Sequence, residues 1–226
     1  MQFRQGPTSQ QTEESLCFQG GQPLLLPNEP FPHCGLCTAS LTFFFQIGFS
    51  IDHPWCDSLL SVFACTQCQD QDHLIPAMLD GQLRDARIPE GFLASYQVNF
   101  KFVVSPRAGV VRREDYLPLV CFRNWEPTFR NNNRESICIE GAPHWLLEDE
   151  SPSDYNGRAM VFLAQLPINF TFECEQTAPP QIKLGLDGSQ MIGKPGEYAL
   201  FIKNQLYLFG TKTPMPAGVY AITQVD

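Results

Sequence analysis

Apolar residues along this chain fall in short bursts cut by 16 glycines and 19 prolines, and helical spacing sustained over more than ten residues is hard to find. The pattern predicts a mainly β protein. Strands are expected over 40–49, 59–64, 96–104, 117–122, 159–166, 169–174, 181–186, 198–202, 205–209 and 219–225. Alternation such as Val98, Phe100 and Phe102 implies sheets with one buried face. One helix is expected over 74–86, where Leu74, Met78 and Leu79 share a side, although Gly81 weakens it.

The pattern also repeats. Gly21-Gln22-Pro23-Leu24 followed by Phe43-Phe44-Phe45-Gln46 is echoed by Gly141-Ala142-Pro143-His144 followed by Phe162-Leu163-Ala164-Gln165, at offsets of 120 and 119. Leu60-Ser61-Val62-Phe63 is echoed by Leu206-Tyr207-Leu208-Phe209 at an offset of 146, so the second copy holds 27 additional residues before its returning strand. Each copy is too small to bury both faces of its strands alone, which predicts duplicated antiparallel β repeats in one pseudo-symmetric domain. Residues 1–17 read as a flexible leader, 18–130 as the first repeat and 131–226 as the second, with the junction at the polar run Asn131-Asn132-Asn133.

Composition narrows the function. Fifteen Lys and Arg against 24 Asp and Glu give a net charge of −9, which repels phosphate backbones, excludes general nucleic-acid binding and points to a basic partner. Seven basic and ten acidic residues precede Glu114, against eight and 14 from there on, so the back of the chain is the more acidic. The longest apolar run, Ala159 to Ala164, falls far short of the roughly 18–20 residues of a membrane-spanning helix. Residues 1–15 lack the apolar core of a secretory signal, so a cytoplasmic location is expected.

Nine cysteines are an odd number for a disulfide framework, and four of them form two pairs, Cys34-Gly35-Leu36-Cys37 and Cys65-Thr66-Gln67-Cys68, with 27 residues between. Four thiolates at such spacing close a tetrahedron around zinc if the intervening strands form a hairpin, giving a ribbon over 34–68. A complete Cys set leaves no open coordination position, so the expected Zn2+ is structural rather than catalytic. A redox pair would sit at a helix amino terminus, which neither pair does. His33, His53 and His73 are expected to shape the surroundings of the zinc site, and Cys17, Cys56, Cys121, Cys138 and Cys174 to serve as small core residues.

At the place of the knuckles the second copy is acidic: Glu148, Asp149, Glu150 and Asp154 fall within seven positions, flanked by Trp145 and Tyr155. Two readings are open, a solvated loop and a surface that engages a partner's Lys or Arg with the aromatics as anchors. No nucleophile elbow, zinc-protease helix, phosphate loop or deaminase signature is present, which ranks binding above catalysis. The enzyme alternative would need an unrecognised arrangement around His53, His73 or His144.

Gly20-Gly21-Gln22-Pro23, the Phe-rich strand ending in Gln46-Ile47, the return strand to Phe63 and the degenerate copy ending in Gln165 and Phe209 resemble the YwqG-like family of bacterial proteins. The two CxxC pairs resemble its zinc-bearing branch, itself similar to the programmed-cell-death-related chaperones of ribosomal proteins. The resemblance covers about 18–70 and 140–225 and implies a duplicated β fold without established enzymatic activity. It further implies zinc on Cys34, Cys37, Cys65 and Cys68, and, for some members, a role as an immunity protein that neutralises a secreted toxin by binding it. A chaperone for basic ribosomal proteins is the alternative.

Overall fold

The computed structural model describes residues 1–12, 15–128 and 136–225. Ten antiparallel strands carry the fold: β1 (Gln2–Thr8), β2 (Phe18–Gln19), β3 (Thr42–Gly48), β4 (Ser58–Ala64), β5 (Phe100–Pro106), β6 (Arg123–Pro127), β7 (Ile137–Ile139), β8 (Arg158–Leu166), β9 (Gln205–Thr211) and β10 (Val219–Gln224). They lie in one sheet in the order β10-β9-β8-β7-β1-β6-β2-β3-β4-β5. Two short strands, Arg87–Ile88 and Asp154–Tyr155, continue this sheet off the main path. The mainly β, antiparallel reading of the sequence is borne out.

The register shows how the two copies correspond. Phe18 faces Gln46 and Cys138 faces Gln165, while Phe43 faces Phe63 and Phe162 faces Phe209. Each hairpin carries a bulge at the same place, between Phe43 and Phe45 and between Phe162 and Ala164. Strands β1 to β5 thus correspond in order to β6 to β10. The first strand of each copy crosses over: β1 pairs with β7 of the second copy, and β6 pairs with β2 of the first. The two crossing strands pair with each other, Phe3 with Pro127, Arg4 with Glu126 and Gln5 with Trp125, so the pseudo-twofold passes through the Arg4–Glu126 pair.

Two expectations are corrected here. The leader is no leader, because residues 2–8 are a central strand bonded on both sides. The second copy begins by Arg123, upstream of the expected boundary at 130–131, and Asn131 to Asn133 lie outside the described residues.

The repeated Gly-x-Pro arm has a physical cause. The buried Gln46 side chain accepts from Leu24 N–H (3.0 Å), and Gln165 does the same for His144 N–H (2.8 Å). The chain reaches that point through two left-handed residues in each copy, Gly20 and Gly21 (φ 60° and 66°), Glu140 and Gly141 (φ 63° and 84°). At Gly20 a Cβ would lie 2.3 Å from the Cys121 carbonyl oxygen, so that position accepts glycine alone. The second copy has room for Glu140, whose carboxylate accepts from Ser50 Oγ (2.8 Å) and so joins the copies.

Other elements are shorter than expected. No helix forms over 74–86; Pro76 lacks the amide a helix interior needs and Gly81 sits at φ 83°. The only α-helix among the described residues is Phe92–Ser95, which displaces the start of the 96–104 strand to Phe100. Residues 117–122 contribute a single bridge, Val120 to Cys174, and 169–174, 181–186 and 198–202 shrink to two- or three-residue ribbons. Phe100 and Phe102 alternate as expected, whereas β3 and β9 are buried at every position, so both faces of the central hairpins are covered.

The sheet is curled enough that its ends approach. Tyr96, just before β5, donates to Val219 O (2.7 Å) and accepts from Ala221 N–H (3.2 Å), capping the exposed ladder of edge strand β10. The tip of the β3–β4 hairpin meets the second copy through Trp55, which is fully buried and donates from Nε1 to Thr211 O (2.9 Å). A Cβ on Gly210 would lie 2.3 Å from Trp55 Cζ2, so the indole rests on a strand bared for it. Trp55→Ala is therefore expected to cost about 3–5 kcal/mol by cavity formation. Urea unfolding reads this loss, and a shift below about 1 kcal/mol, the range of neutral surface changes, would contradict the clamp.

Candidate metal centre

Cys34 and Cys37 lie just before β3, and Cys65 and Cys68 just after β4, so the hairpin brings both pairs to its open end. All four thiols are free, with Sγ atoms within 4.8 Å of one another. Separations are 3.7 Å for Cys34–Cys68, 3.7 Å for Cys37–Cys65 and 3.5 Å for Cys65–Cys68. A Zn–S bond of about 2.3 Å sets tetrahedral sulfurs about 3.8 Å apart, close to these values, whereas a disulfide needs about 2.05 Å. The donor set and its spacing fit zinc.

Local turns build each knuckle. Cys34 N–H donates to Ala39 O (2.8 Å), Thr38 N–H to Cys34 O (2.9 Å), and Gln67 N–H points at Cys65 Sγ (3.4 Å). The chain before β5 laces the two knuckles together: Gly35 N–H donates to Val98 O and Cys65 N–H to Asn99 O, at 2.7 and 2.8 Å. Burial pushes the Cys65 thiol up to about 11 and raises Cys68 as well. Cys37 is held below its ordinary value: its slight burial opposes this, and the Ala39 backbone and the neighbouring thiols outweigh it. Zinc must displace protons from the raised thiols, so metal affinity falls as pH falls.

No histidine belongs to the cluster. His33 reaches Ser40 Oγ (3.4 Å), and His73 pairs with Asp70 (2.6 Å), whose carboxyl this contact holds below its usual range. His53 stacks on Phe49 at 4.8 Å and lies 3.3 Å from Phe162 O, with burial lowering its pKa. His144 sits in the arm beside Gln165. The four clefts described around Leu74, Met78, Phe31 and Arg87 contain no histidine in their walls.

The acidic stretch is partly engaged by its own chain. Arg84 lies 3.7 Å from Asp149 and Arg87 3.4 Å from Asp154, and Ser151 donates to Asp149 from both backbone and hydroxyl. The segments 87–88 and 154–155 pair as parallel strands, which buries Tyr155. Tyr155 thus packs in the core rather than facing outward. Trp145 is half-buried and packs on Tyr207 (4.3 Å) and Phe209 (5.9 Å). Glu148 remains exposed beside Leu147, and Glu150 is half-buried.

No family model and no curated protein matches the chain. Among the described residues no helix is long and apolar enough to cross a membrane.

Two features escaped the sequence reading. Trp55 gave no signal, because its partner lies 156 residues away. The left-handed turn Phe201–Lys203 falls where the pattern predicts the end of a strand, and Lys183, which stands near it across a cavity, belongs to no motif.

Proposed function

We propose that the protein is a zinc-structured binding protein for a basic protein partner, acting as an immunity protein that covers a cognate toxin inside the cell. The observation that carries this reading is the excess of nine negative charges together with the exposed Leu147-Glu148 turn, where an apolar anchor stands beside a carboxylate that has no ion pair among the described residues. Complementary charge speeds encounter, and an apolar side chain at the same point holds the complex. Zinc here supports architecture, since four thiolates fill its coordination. The resemblance to the YwqG-like family supplies the toxin reading of the partner.

The test is recovery of the tagged protein from its native cells, followed by measured association with whatever basic protein co-purifies in stoichiometric amount. Leu147→Ala with Glu148→Lys is expected to leave folding unchanged, since both positions are exposed, and to weaken association by about tenfold or more. An unaltered complex would remove this surface from the interface. Recovery of many ribosomal proteins in place of one partner would favour the chaperone alternative.

A further inference from the structure

The additional residues of the second copy lie between β8 and β9 and have no counterpart in the first, whose β3 and β4 are joined by the short connection 49–57. Their hairpin, Ile182–Leu184 with Gln190–Ile192, lies across the zinc ribbon: Ile182 N–H donates to Thr66 O (2.9 Å) and Gln190 Nε2 to Gln69 O (3.2 Å). Between hairpin and ribbon is a cavity of about 180 Å³.

Three observations single it out. First, its wall includes three successive non-glycine residues in the left-handed region, Phe201, Ile202 and Lys203, with φ of 43°, 54° and 69°. A β-branched residue there is costly, and such strain gathers where a site must hold a shape. Second, the wall of the cavity holds two lysines, Lys183 and Lys203, and no carboxylate, in a chain of net charge −9. Glu197 holds Lys194 (3.3 Å) and Lys203 (3.1 Å), and among the described residues the Lys183 ammonium has no carboxylate partner. Third, two further polar side chains of the wall are already engaged. Asn99 Nδ2 donates to His73 O (2.8 Å), and Gln181 exchanges two 2.9 Å bonds with Ala199. Leu74, Leu184 and Leu200 supply the apolar part.

We propose that this cavity binds a small organic anion, an apolar group of one ring or one branched chain bearing a carboxylate that pairs with Lys183. The volume is comparable to the roughly 150 Å³ cavity that holds a benzene ring, so one such group fills it. A charge-assisted bond from the ammonium of half-buried Lys183 fixes the acid end at the mouth while the body enters between the leucines. The same chemistry exists in a free carboxylic acid and in the carboxy-terminal residue of a peptide. The site does not depend on the partner reading above.

The experiment is methyl and amide NMR titration of the full, zinc-loaded chain with phenylacetate and 4-methylpentanoate, and with phenylacetamide as the neutral comparison. Saturable shifts confined to Leu184, Leu200 and Ile202 are expected with Kd below about 10 mM, the range open to a ligand of this size. Lys183→Met is expected to weaken the acids about tenfold without changing the amide, and Lys183→Arg to restore them. A peptide ending in Gly-Gly-Leu assigns the source: tighter binding than 4-methylpentanoate points to a chain terminus, equal or weaker binding to a free acid. Equal affinity for acid and amide, or no saturable shift, would overturn the proposal. Ile202→Gly supplies a second check, since relief of the left-handed strain is expected to raise the Tm while loosening the acid.

Discussion

Removal of zinc from the Cys34–Cys37–Cys65–Cys68 cluster is expected to destabilise the first copy by more than any single core substitution. Structural zinc contributes about 10–16 kcal/mol of apparent binding energy in small finger peptides at neutral pH, and a site formed only in the folded chain passes that energy to folding. Here the knuckles close the open end of the β3–β4 hairpin, anchor residues 98–99 and carry the insertion hairpin through Thr66. Without metal, four sulfurs within 4.8 Å of one another have no bond to hold them, and the three attached segments lose a common anchor. Elemental analysis is expected to find one zinc per chain, and chelation to lower the melting temperature and release protection in 34–68 and 98–99 first. Cys65→Ser removes a buried ligand and is expected to abolish stoichiometric zinc. Cys37→Ser, at the exposed corner, is expected to lower zinc affinity with the milder folding defect. Full zinc content and an unchanged melting curve in the Cys37 variant would refute the assignment. Acid acts in the same direction as chelator. Burial holds the metal-free Cys65 thiol protonated, at about 11, whereas the zinc-bound sulfur carries no proton, so the stability that zinc confers is lost as pH falls.

What could be read from the chain divides by range. The knuckles were legible because each ligand pair is local and its spacing is dictated by the metal. The duplication was legible because Gln46 and Gln165 do the same work, each accepting the amide that follows a proline. The central role of β1 was hidden by its composition: of its seven residues only Phe3 and Gly6 are buried, and the strand is placed by backbone bonds to β6 and β7 together with polar contacts of Arg4 and Gln5. Hydrophobic periodicity is silent about a strand specified by its neighbours' ladders. The ion pairs of the acidic turn were hidden for the same reason. Arg84 and Arg87, which meet Asp149 and Asp154, stand more than sixty residues earlier, and the parallel pairing that buries Tyr155 joins equally distant segments. The segment 74–86 has apolar residues to bury, and it buries them without a helix: Met78 and Leu79 pack against the core, and Leu79 N–H donates to Tyr220 on edge strand β10.

Deletion of residues 1–8 is expected to leave a chain that does not fold. β1 stands in the middle of the ten-strand path, and it is the sole link in that path between the half ending in β7 and the half ending in β6. Its loss unpairs Ile137 and Cys138 on one side and Arg123 to Pro127 on the other, and opens two edges beside buried Trp125 and Ile139. Unpaired ladders at an apolar face invite association between chains, so aggregation is the expected form of the failure. The whole native state of such a domain is worth only about 5–15 kcal/mol, a margin that the loss of a central strand's two ladders together with Phe3 consumes. Point substitutions separate packing from charge within the same strand. Phe3→Ala, at a side chain 6% exposed, is expected to cost about 3–5 kcal/mol. Arg4→Ala, which breaks an exposed pair with Glu126, is expected to cost at most about 1 kcal/mol although it stands on the pseudo-twofold itself. A peptide of residues 1–12 added in trans is expected to restore soluble, cooperatively unfolding protein to the truncated chain, because β1 is held by backbone ladders and by Phe3. A truncated chain that melts like the intact one would return these residues to the status of a leader, and with it would fall the crossing-over of first strands that joins the two copies.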